Sequence, residues 1–330
     1  MNRWTTLLAC AVLAGCGAGK ADPRPRLQLA AGAVTVSGIS AGGYMAVQSH
    51  VAYGDEVDGV GVIAAGPWFC AQGSMSRALG ECMGAEQGPP AVEPLLDEVR
   101  RAAADGRIAA LESLAGDRAW VLHGSRDTTI ARGVSDALVN FYRALLGDES
   151  IRDETGLHAA HGFPTLDEGL ACGQQGDPYL NDCDYDAAGG LLEHLYGSLA
   201  PRGRAVDAHL VAFDQRRYAG ADASLEPFGH AYVPASCRAG QPCRLHVAFH
   251  GCRQGAAFVG RAFVANAGYN AWAESNGIVV LYPQVKRSWA LPLNPQGCWD
   301  WWGYTGPDYA SREAAQLAAV RRMVQALGAR

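Results

Sequence analysis

The sequence predicts an α/β fold with a mostly parallel sheet and helices on both of its faces. Short apolar runs of strand length alternate along the chain with segments whose apolar residues recur at helical intervals. The runs that we expect to form strands are 34–36, 59–65, 119–123, 245–249 and 278–282. Such alternation is typical of parallel sheets, because the helices that connect parallel strands cover both faces.

The first 16 residues have the features of an export signal. Arg3 precedes an apolar run at 7–13, which is too short to span a bilayer and leads to the sequence L-A-G-C, ending at Cys16. This ending resembles a bacterial lipobox, in which the cysteine is lipidated and becomes the new N-terminus. We predict lipidation at Cys16, a tether at 17–30, and a location at the outer membrane or cell surface. The alternative is an ordinary cleaved signal peptide and a secreted or periplasmic protein.

Residues 31–330 are long enough for one large catalytic domain with a sizeable core. No internal repeat, charge run or low-complexity linker divides them. The formal net charge of −6 argues against a nucleic-acid partner, which would favour a basic face. We expect a monomer that acts on a neutral substrate and meets a membrane only through its lipid anchor.

The stretch 34–45, V-T-V-S-G-I-S-A-G-G-Y-M, predicts a nucleophile elbow. A β-branched run leads into G-I-S-A-G, and the segment 43–53 that follows has helical spacing of apolar residues. The G-x-S-x-G pattern between a strand and a helix holds its serine on a sharp turn, with glycines that let strand and helix pass closely. Ser40 is therefore the predicted nucleophile. In a chain with 41 glycines the pentapeptide could match by chance, but its flanking strand and helix disfavour that alternative.

Two partners for Ser40 follow in the order Ser, Asp, His that is usual in α/β-hydrolases. Asp127 comes just after the strand at 119–123, at the edge of a parallel sheet where such enzymes keep their chemistry. A neutral imidazole must then take the serine proton while the carboxylate orients the ring. Both His158 and His161 lie in the polar loop that follows, and the residues alone leave both open, with His161 favoured.

Ten cysteines are present, two of them in the export segment. The other eight form an even number in an exported chain, which favours disulfides. A zinc site is the competing interpretation, disfavoured because the cysteines show no C-x-x-C spacing. Sequence alone cannot settle the pairing, but three sets lie close together in the chain. They suggest the pairs Cys70–Cys82, Cys172–Cys183, Cys237–Cys243 and, by remainder, Cys252–Cys298.

A second loop with catalytic character comes late in the chain. The strand at 245–249 runs into H-G-C-R-Q at 250–254, an H-G signature of an oxyanion loop. A helix at 263–276 and a strand at 278–282 complete a β-α-β unit. Such a loop usually precedes the elbow. Placing 245–330 before the elbow-bearing half restores the usual order, so the sequence predicts a circularly permuted α/β-hydrolase fold.

On these motifs the chain resembles the poly(3-hydroxybutyrate) depolymerase family, in the single-domain, circularly permuted form known from fungi. The resemblance runs through most of the chain after the export segment, and its motifs are long, ordered and specific. They are S-G-I-S-A-G-G-Y-M (37–45), V-A-Y (51–53), G-P-W-F-C (66–70), G-S-R-D-T-T-I (124–130), H-G-F-P-T (161–165), Y-V-P (232–234), H-G-C-R-Q (250–254), G-Y-N-A-W-A (268–273), L-Y-P-Q (281–284) and N-P-Q-G-C-W-D-W (294–301).

The resemblance implies a triad of Ser40, Asp127 and His161, which decides between the two histidines. It also implies that the backbone N–H groups of Ala41 and Cys252 are the oxyanion donors, and it supports the four cysteine pairs. The implied reaction is two-step hydrolysis of esters in poly(3-hydroxybutyrate) or related short-chain polyhydroxyalkanoates, through an acyl-enzyme. Neither a metal nor an organic cofactor is implied.

Four aromatic residues lie at 299–304, directly after Cys298. We assign Trp299 and Trp301 to the core, because the alternating C-W-D-W spacing suggests anchored structure. Trp302 and Tyr304 lie beside glycines in a more loop-like setting where rings can face solvent, so we predict that they bind the substrate. The fungal family tends to have tryptophan where this chain has Tyr304, which is a departure in the predicted cleft.

Three other functions share these sequence features. A general carboxylesterase would have the same triad and differ only in the cleft, and a serine peptidase could use the same fold. A lipid-anchored binding protein without catalysis is the third alternative. The complete set of serine, aspartate, histidine and oxyanion elements argues against the last of these.

Overall fold

The computed structural model describes residues 27–85 and 88–328. The predicted export segment, the lipidation site Cys16 and residues 17–26 of the tether lie outside the described residues, whereas residues 29–30, also assigned to the tether, belong to the first strand. The strands are β1 (Leu29–Ile39), β2 (Gly59–Ile63), β3 (Arg118–Leu122), β4 (Ile151–Glu154), β5 (Phe163–Thr165), β6 (Leu170–Ala171), β7 (Leu180–Asp182), β8 (Leu210–Asp214), β9 (Phe228–Tyr232), β10 (Cys243–Phe249) and β11 (Ile278–Tyr282). The α-helices are α1 (Ala41–Ala52), α2 (Met75–Leu79), α3 (Val92–Ala104), α4 (Arg132–Leu146), α5 (Ala187–Tyr196), α6 (Ala235–Arg238), α7 (Ala256–Val259), α8 (Ala262–Asn266), α9 (Tyr269–Asn276) and α10 (Ala315–Ala326).

Eight strands form one sheet in the order β4-β3-β2-β1-β10-β11-β9-β8. Only β9 runs against its neighbours, and the other pairings are parallel. The predicted fold class, an α/β-hydrolase type with a mostly parallel sheet, is therefore correct. The apolar runs did not predict the antiparallel strand β9.

The chain fills the two halves of this sheet in separate blocks. The strands β1 to β4 form one half and β8 to β11 form the other, and the halves meet where β1 pairs with β10. This arrangement suits the predicted permutation, since the late block lies directly beside the elbow strand. That block begins with β8 at Leu210, however, and not at residue 245. Two strands of this half, β8 and β9, therefore precede residue 245 in the chain.

Apolar side chains cover the sheet in two layers. One core cluster joins α1, α3 and α10 to one face, with Val36, Val60 and Val247 from the strands. The other joins α5, α8 and α9 to the opposite face, with Ile39, Ile63 and Val280. Because successive residues of a strand point to opposite faces, β1 supplies both layers, with Val36 in the first and Ile39 in the second.

The helical prediction for 263–276 needs a correction. Two short helices, α8 and α9, occupy this segment, and Gly268 between them has a φ of 92°. A left-handed residue interrupts the hydrogen-bond ladder of a helix, and only glycine adopts it without cost. A separate three-stranded sheet, β5-β7-β6, forms beside the main one and was not predicted.

The eight cysteines of the described chain form four disulfides, in the pairing that the sequence suggested. Disulfides persist in oxidising compartments, so they fit a secreted or extracellular protein. A search of the described residues for a helix long and apolar enough to cross a membrane found none.

Candidate active site

Ser40 lies at the junction of β1 and α1, at the carboxyl edge of the parallel strands. Its backbone has φ 57° and ψ −126°, a strained conformation for a residue other than glycine. The flanking glycines are required by space. A Cβ at position 38 would lie 2.1 Å from Gly42 O, and one at position 42 would lie 2.3 Å from Phe249 O. This geometry is the nucleophile elbow that the motif predicted.

Asp127 and His161 are joined in the structure. Asp127 follows β3, and its Oδ2 lies 2.7 Å from His161 Nδ1, with the Asp127 side chain 1% and the His161 side chain 7% exposed. The N–H groups of Thr129 and Ile130 donate to the other carboxylate oxygen, at 2.8 and 2.9 Å. Burial opposes the charge of Asp127, but the hydrogen bond and charge of His161 and the two N–H groups outweigh it. The pKa of Asp127 is therefore lowered.

His158 takes no part in this pair. Its Nδ1 lies 2.8 Å from Ser125 Oγ, and both residues are exposed. The loop turns back over the end of β3 because Ser125 N donates to Leu157 O and Arg126 N donates to Ala159 O. This turn carries His161 inward to Asp127 and leaves His158 at the surface. The fold therefore distinguishes the two histidines, because only His161 is hydrogen-bonded to Asp127.

Ser40 lies at the same edge of the sheet as the Asp127–His161 pair. In the part of the chain that the structure describes, no hydrogen bond joins Ser40 Oγ to His161. Catalytic hydrogen bonds are often long in unliganded enzymes and tighten when the substrate binds. With Nδ1–H donating to Asp127, the Nε2 atom of His161 is the one that can accept a proton.

The loop 250–254 leaves β10 at the same edge and lies against the elbow. A Cβ at Gly251 would lie 3.5 Å from Ser40 Cβ and 3.4 Å from Ile39 O. The N–H of Ala41, the first residue of α1, has no acceptor within its helix. Among the described residues no hydrogen bond uses the N–H of Cys252. These are the two amides that the family resemblance implies as the oxyanion donors.

His250, which forms the H-G signature with Gly251, has a structural role that the sequence did not reveal. It is fully buried, and its Nδ1 lies 2.8 Å from Gly251 O while Val285 N donates to its Nε2 at 3.3 Å. Burial is the main cause that lowers the pKa of His250 to about 4, against a smaller opposing effect of the Gly251 carbonyl. A neutral ring with Nδ1–H thus ties the oxyanion loop to the segment after β11.

The aromatic segment after Cys298 is more deeply packed than predicted. Trp299 and Trp301 are buried, as expected, and Trp301 stacks on Tyr44 with ring centroids 4.4 Å apart. Trp302 and Tyr304 were expected to face solvent, but both are half-buried. The hydroxyl of Tyr304 explains its position, because it donates to Cys298 O at 2.8 Å and accepts hydrogen bonds from two buried amide side chains.

A serine on an elbow, a buried aspartate–histidine pair and two free amides at one sheet edge define a serine hydrolase of the α/β-hydrolase class. No family model matches the chain. Two curated relatives do. The chain is 37% identical over 324 residues to a poly(3-hydroxybutyrate) depolymerase of Delftia acidovorans, covering 96% of this chain and 64% of that protein. It is 34% identical over 331 residues to a polyhydroxybutyrate depolymerase of Talaromyces funiculosus, covering 95% of this chain and 94% of the relative.

Solved structures agree with these relatives. The crystal structure of a PHB depolymerase from Penicillium funiculosum superposes with a TM-score of 0.84 at 32% identity, covering 92% of this chain and 97% of that one. A serine-to-alanine variant of a PHB depolymerase complexed with an R3HB trimer superposes with a TM-score of 0.83 at the same identity, covering 92% of this chain and 96% of that one. The chain belongs to the poly(3-hydroxybutyrate) depolymerase family.

Proposed function

We propose that this chain hydrolyses ester bonds of poly(3-hydroxybutyrate) or of a related short-chain polyhydroxyalkanoate. The observation that carries the proposal is the buried Asp127–His161 pair at the sheet edge where the elbow presents Ser40. Membership of the depolymerase family supports an ester as the substrate. The solved relative that is complexed with an R3HB trimer supports a hydroxybutyrate oligoester in particular.

The reaction follows from the positions of these groups. His161 Nε2 takes the proton of Ser40 as the serine oxygen attacks the ester carbonyl, while Asp127 stabilises the imidazolium that forms. The N–H groups of Ala41 and Cys252 donate to the oxyanion. His161 then protonates the leaving alcohol, and the acyl group stays on Ser40. A water molecule that loses its proton to His161 attacks this acyl-enzyme and releases the hydroxy acid.

One exposed segment is better suited to binding a polymer surface than to binding a small ester. Ser288 and Asn294 pair as a short antiparallel bridge, and the hairpin between them exposes Trp289 by 70%, Leu291 by 94% and Leu293 by 55%. The hairpin follows β11, which is parallel to β10, so it leaves the sheet at the edge that carries Ser40. Exposed apolar groups grouped in this way mark a surface that binds an apolar partner.

We also propose that the protein is exported and lipidated at Cys16, with the residues between Cys16 and β1 as the tether. The support is the short apolar run that ends in L-A-G-C, together with the disulfides of the catalytic domain. A tethered enzyme would act on polyester or oligoester chains that reach the outer membrane or cell surface. The lipid would be its only contact with a membrane.

The decisive experiment measures release of 3-hydroxybutyrate and its oligomers from poly(3-hydroxybutyrate) granules. The unsubstituted protein should release products, and Ser40→Ala should release none while it remains folded, because a small residue adds no strain at the elbow. Hydrolysis of p-nitrophenyl butyrate without release from granules would instead identify a general carboxylesterase. A folded protein that binds granules and hydrolyses neither substrate would be a non-catalytic binding protein.

A further inference from the structure

Gln254 lies in the oxyanion loop, four residues after the buried His250. Its side chain is 1% exposed, and both of its polar atoms are used. The Oε1 atom accepts the N–H of Gly251 at 2.8 Å, and Nε2 donates to Tyr179 O at 2.8 Å. One neutral side chain thus joins two segments that are 75 residues apart in the chain.

The first of these hydrogen bonds acts on the oxyanion donor. Within the loop, Gly251 N donates to Gln254 and Arg253 N donates to Gln296 O at 2.7 Å, so the N–H of Cys252 is left between two amides that are already bonded. Arg253 has a φ of 58°, an uncommon value for a residue other than glycine, and strain of this kind persists only where the surroundings enforce it. The buried Gln254 side chain is one such constraint, because its hydrogen bond to Gly251 N spans the turn that contains Arg253.

The second hydrogen bond reaches the segment of the catalytic base. Tyr179 O accepts from Gln254 Nε2 and also from Phe163 N, at 2.8 Å each. Phe163 is two residues beyond His161, and a Cβ at Gly162 would lie 1.5 Å from Asn181 Oδ1, so this segment packs directly against β7. Gln254 therefore contacts both the loop of the oxyanion donor and the carbonyl that anchors the base.

We propose that Gln254 is a positioning residue that holds the Cys252 amide and the His161 segment in one fixed relation. It touches no reacting atom and acts through the backbone of Gly251 and Tyr179. The inference rests on the proposed ester hydrolysis and adds to it a residue that controls the oxyanion site. Loss of a correctly placed oxyanion donor slows acyl transfer more than it weakens substrate binding, because the donor faces charge that develops only in the transition state.

The chain supplies a matched control in Gln215. This residue is also fully buried, its Oε1 accepts Gln284 N at 2.9 Å, and its Nε2 donates to Glu226 O at 2.7 Å. Each glutamine makes a third bond through Nε2, to Gln284 O at 3.0 Å in Gln215 and to Pro178 O at 3.4 Å in Gln254. Gln215→Met and Gln254→Met therefore both remove three hydrogen bonds and keep a side chain of similar length. Both should therefore lose similar stability. Only Gln254→Met is expected to lose catalysis.

The test compares kcat and KM for p-nitrophenyl butyrate, a soluble ester that does not require the polymer. Gln254→Met should lower kcat ~10-fold or more with KM within ~3-fold, and Gln215→Met should keep kcat within ~2-fold of the unsubstituted protein. The affinity for an aryl boronic acid, which forms a tetrahedral anionic adduct with the serine, should fall with kcat in Gln254→Met alone. If Gln254→Met does not fold, Gln254→Glu keeps the acceptor for Gly251, loses the donor to Tyr179, and should lower kcat in the same direction.

Equal kcat in the two methionine variants, or a loss of kcat with unchanged boronate affinity, would overturn the proposal. Failure of the proposed function is a separate result, because it shows as absence of product release from granules by the unsubstituted protein.

Discussion

Asp127→Asn tests the catalytic assignment sharply, because it keeps the shape of the side chain and changes its chemistry. Oδ1 of Asp127 accepts the N–H groups of Thr129 and Ile130, and Oδ2 faces His161 Nδ1. An asparagine can keep the first two bonds with its carbonyl oxygen, which turns its NH₂ group toward His161. Two donors cannot share a hydrogen bond, so the ring must place its proton on Nε2. In that tautomer His161 cannot accept the proton of Ser40.

The expected loss follows from this change of tautomer. We expect kcat to fall by about 10³- to 10⁴-fold, which corresponds to about 4–5.5 kcal/mol of transition-state stabilisation. The fold should survive, since the hydrogen bonds to Thr129 and Ile130 remain.

The stability of the two proteins should also depend differently on pH. The pKa of Asp127 is lowered in the folded state, so its carboxylate contributes stability above its unfolded pKa of about 3.9. That contribution is lost as the pH falls through the lower, folded-state pKa. Asp127→Asn should therefore be less stable than the unsubstituted protein at neutral pH, and the difference should narrow in strong acid.

Turnover of p-nitrophenyl butyrate and thermal unfolding at neutral and acid pH measure both effects. His158→Ala is the control and should keep kcat within ~10-fold, because its ring is hydrogen-bonded to the exposed Ser125 while Asp127 is bonded to His161. Asp127→Asn that retains more than about a tenth of kcat would refute the tautomer argument. An inactive His158→Ala beside an active His161→Ala would refute the assignment of the base.

Four further predictions concern other parts of the chain. Trp302→Ala should lower polymer hydrolysis ~10-fold, about 1.4 kcal/mol, with little effect on p-nitrophenyl butyrate; equal losses with a lower melting temperature would make the ring part of the core. Trp289→Ala should weaken adsorption to granules and leave the soluble ester unaffected, whereas unchanged adsorption would exclude the hairpin from the polymer-binding surface. The Cys252–Cys298 bridge, with a sequence separation of 46, should contribute about 3–4 kcal/mol to stability and also support kcat; a free thiol at Cys252 in unreduced peptide maps contradicts it. Cys16→Ser should abolish lipid labelling, and unchanged labelling would rule out the lipobox.

Local sequence patterns were sufficient wherever the physical constraint is local. The elbow is an example, because its turn requires glycine at positions 38 and 42 whatever the rest of the chain does. The central strands were also predictable, since a strand buried on both faces must be apolar along its length. The disulfide pairs that are close in sequence followed from the short span of chain between the cysteines.

Other features depend on what surrounds a residue in space. The edge strand β4, I-R-D-E, is partly exposed, so its sequence needs no continuous apolar run and gave no strand signal. Tyr304 resembles a loop residue in sequence, yet its hydroxyl finds three partners in the folded chain. The motif around Gln254 predicted an oxyanion loop, but no local pattern could predict that its side chain meets the carbonyl of Tyr179.

The predicted catalytic residues also divide into those that follow from local sequence and one that depends on the tertiary structure. The sequence by itself predicted the nucleophile, the acid and the oxyanion loop, because each follows a strand whose carboxyl end must lie at one edge of a parallel sheet. It supplied two histidines in one loop, and the choice between them came from resemblance. The tertiary structure decides that choice by contact, since the loop folds back over the end of β3 and brings His161, and not His158, to Asp127. A hydrogen bond between residues 34 positions apart depends on the path of the chain between them, and that path is set by packing and not by the local sequence.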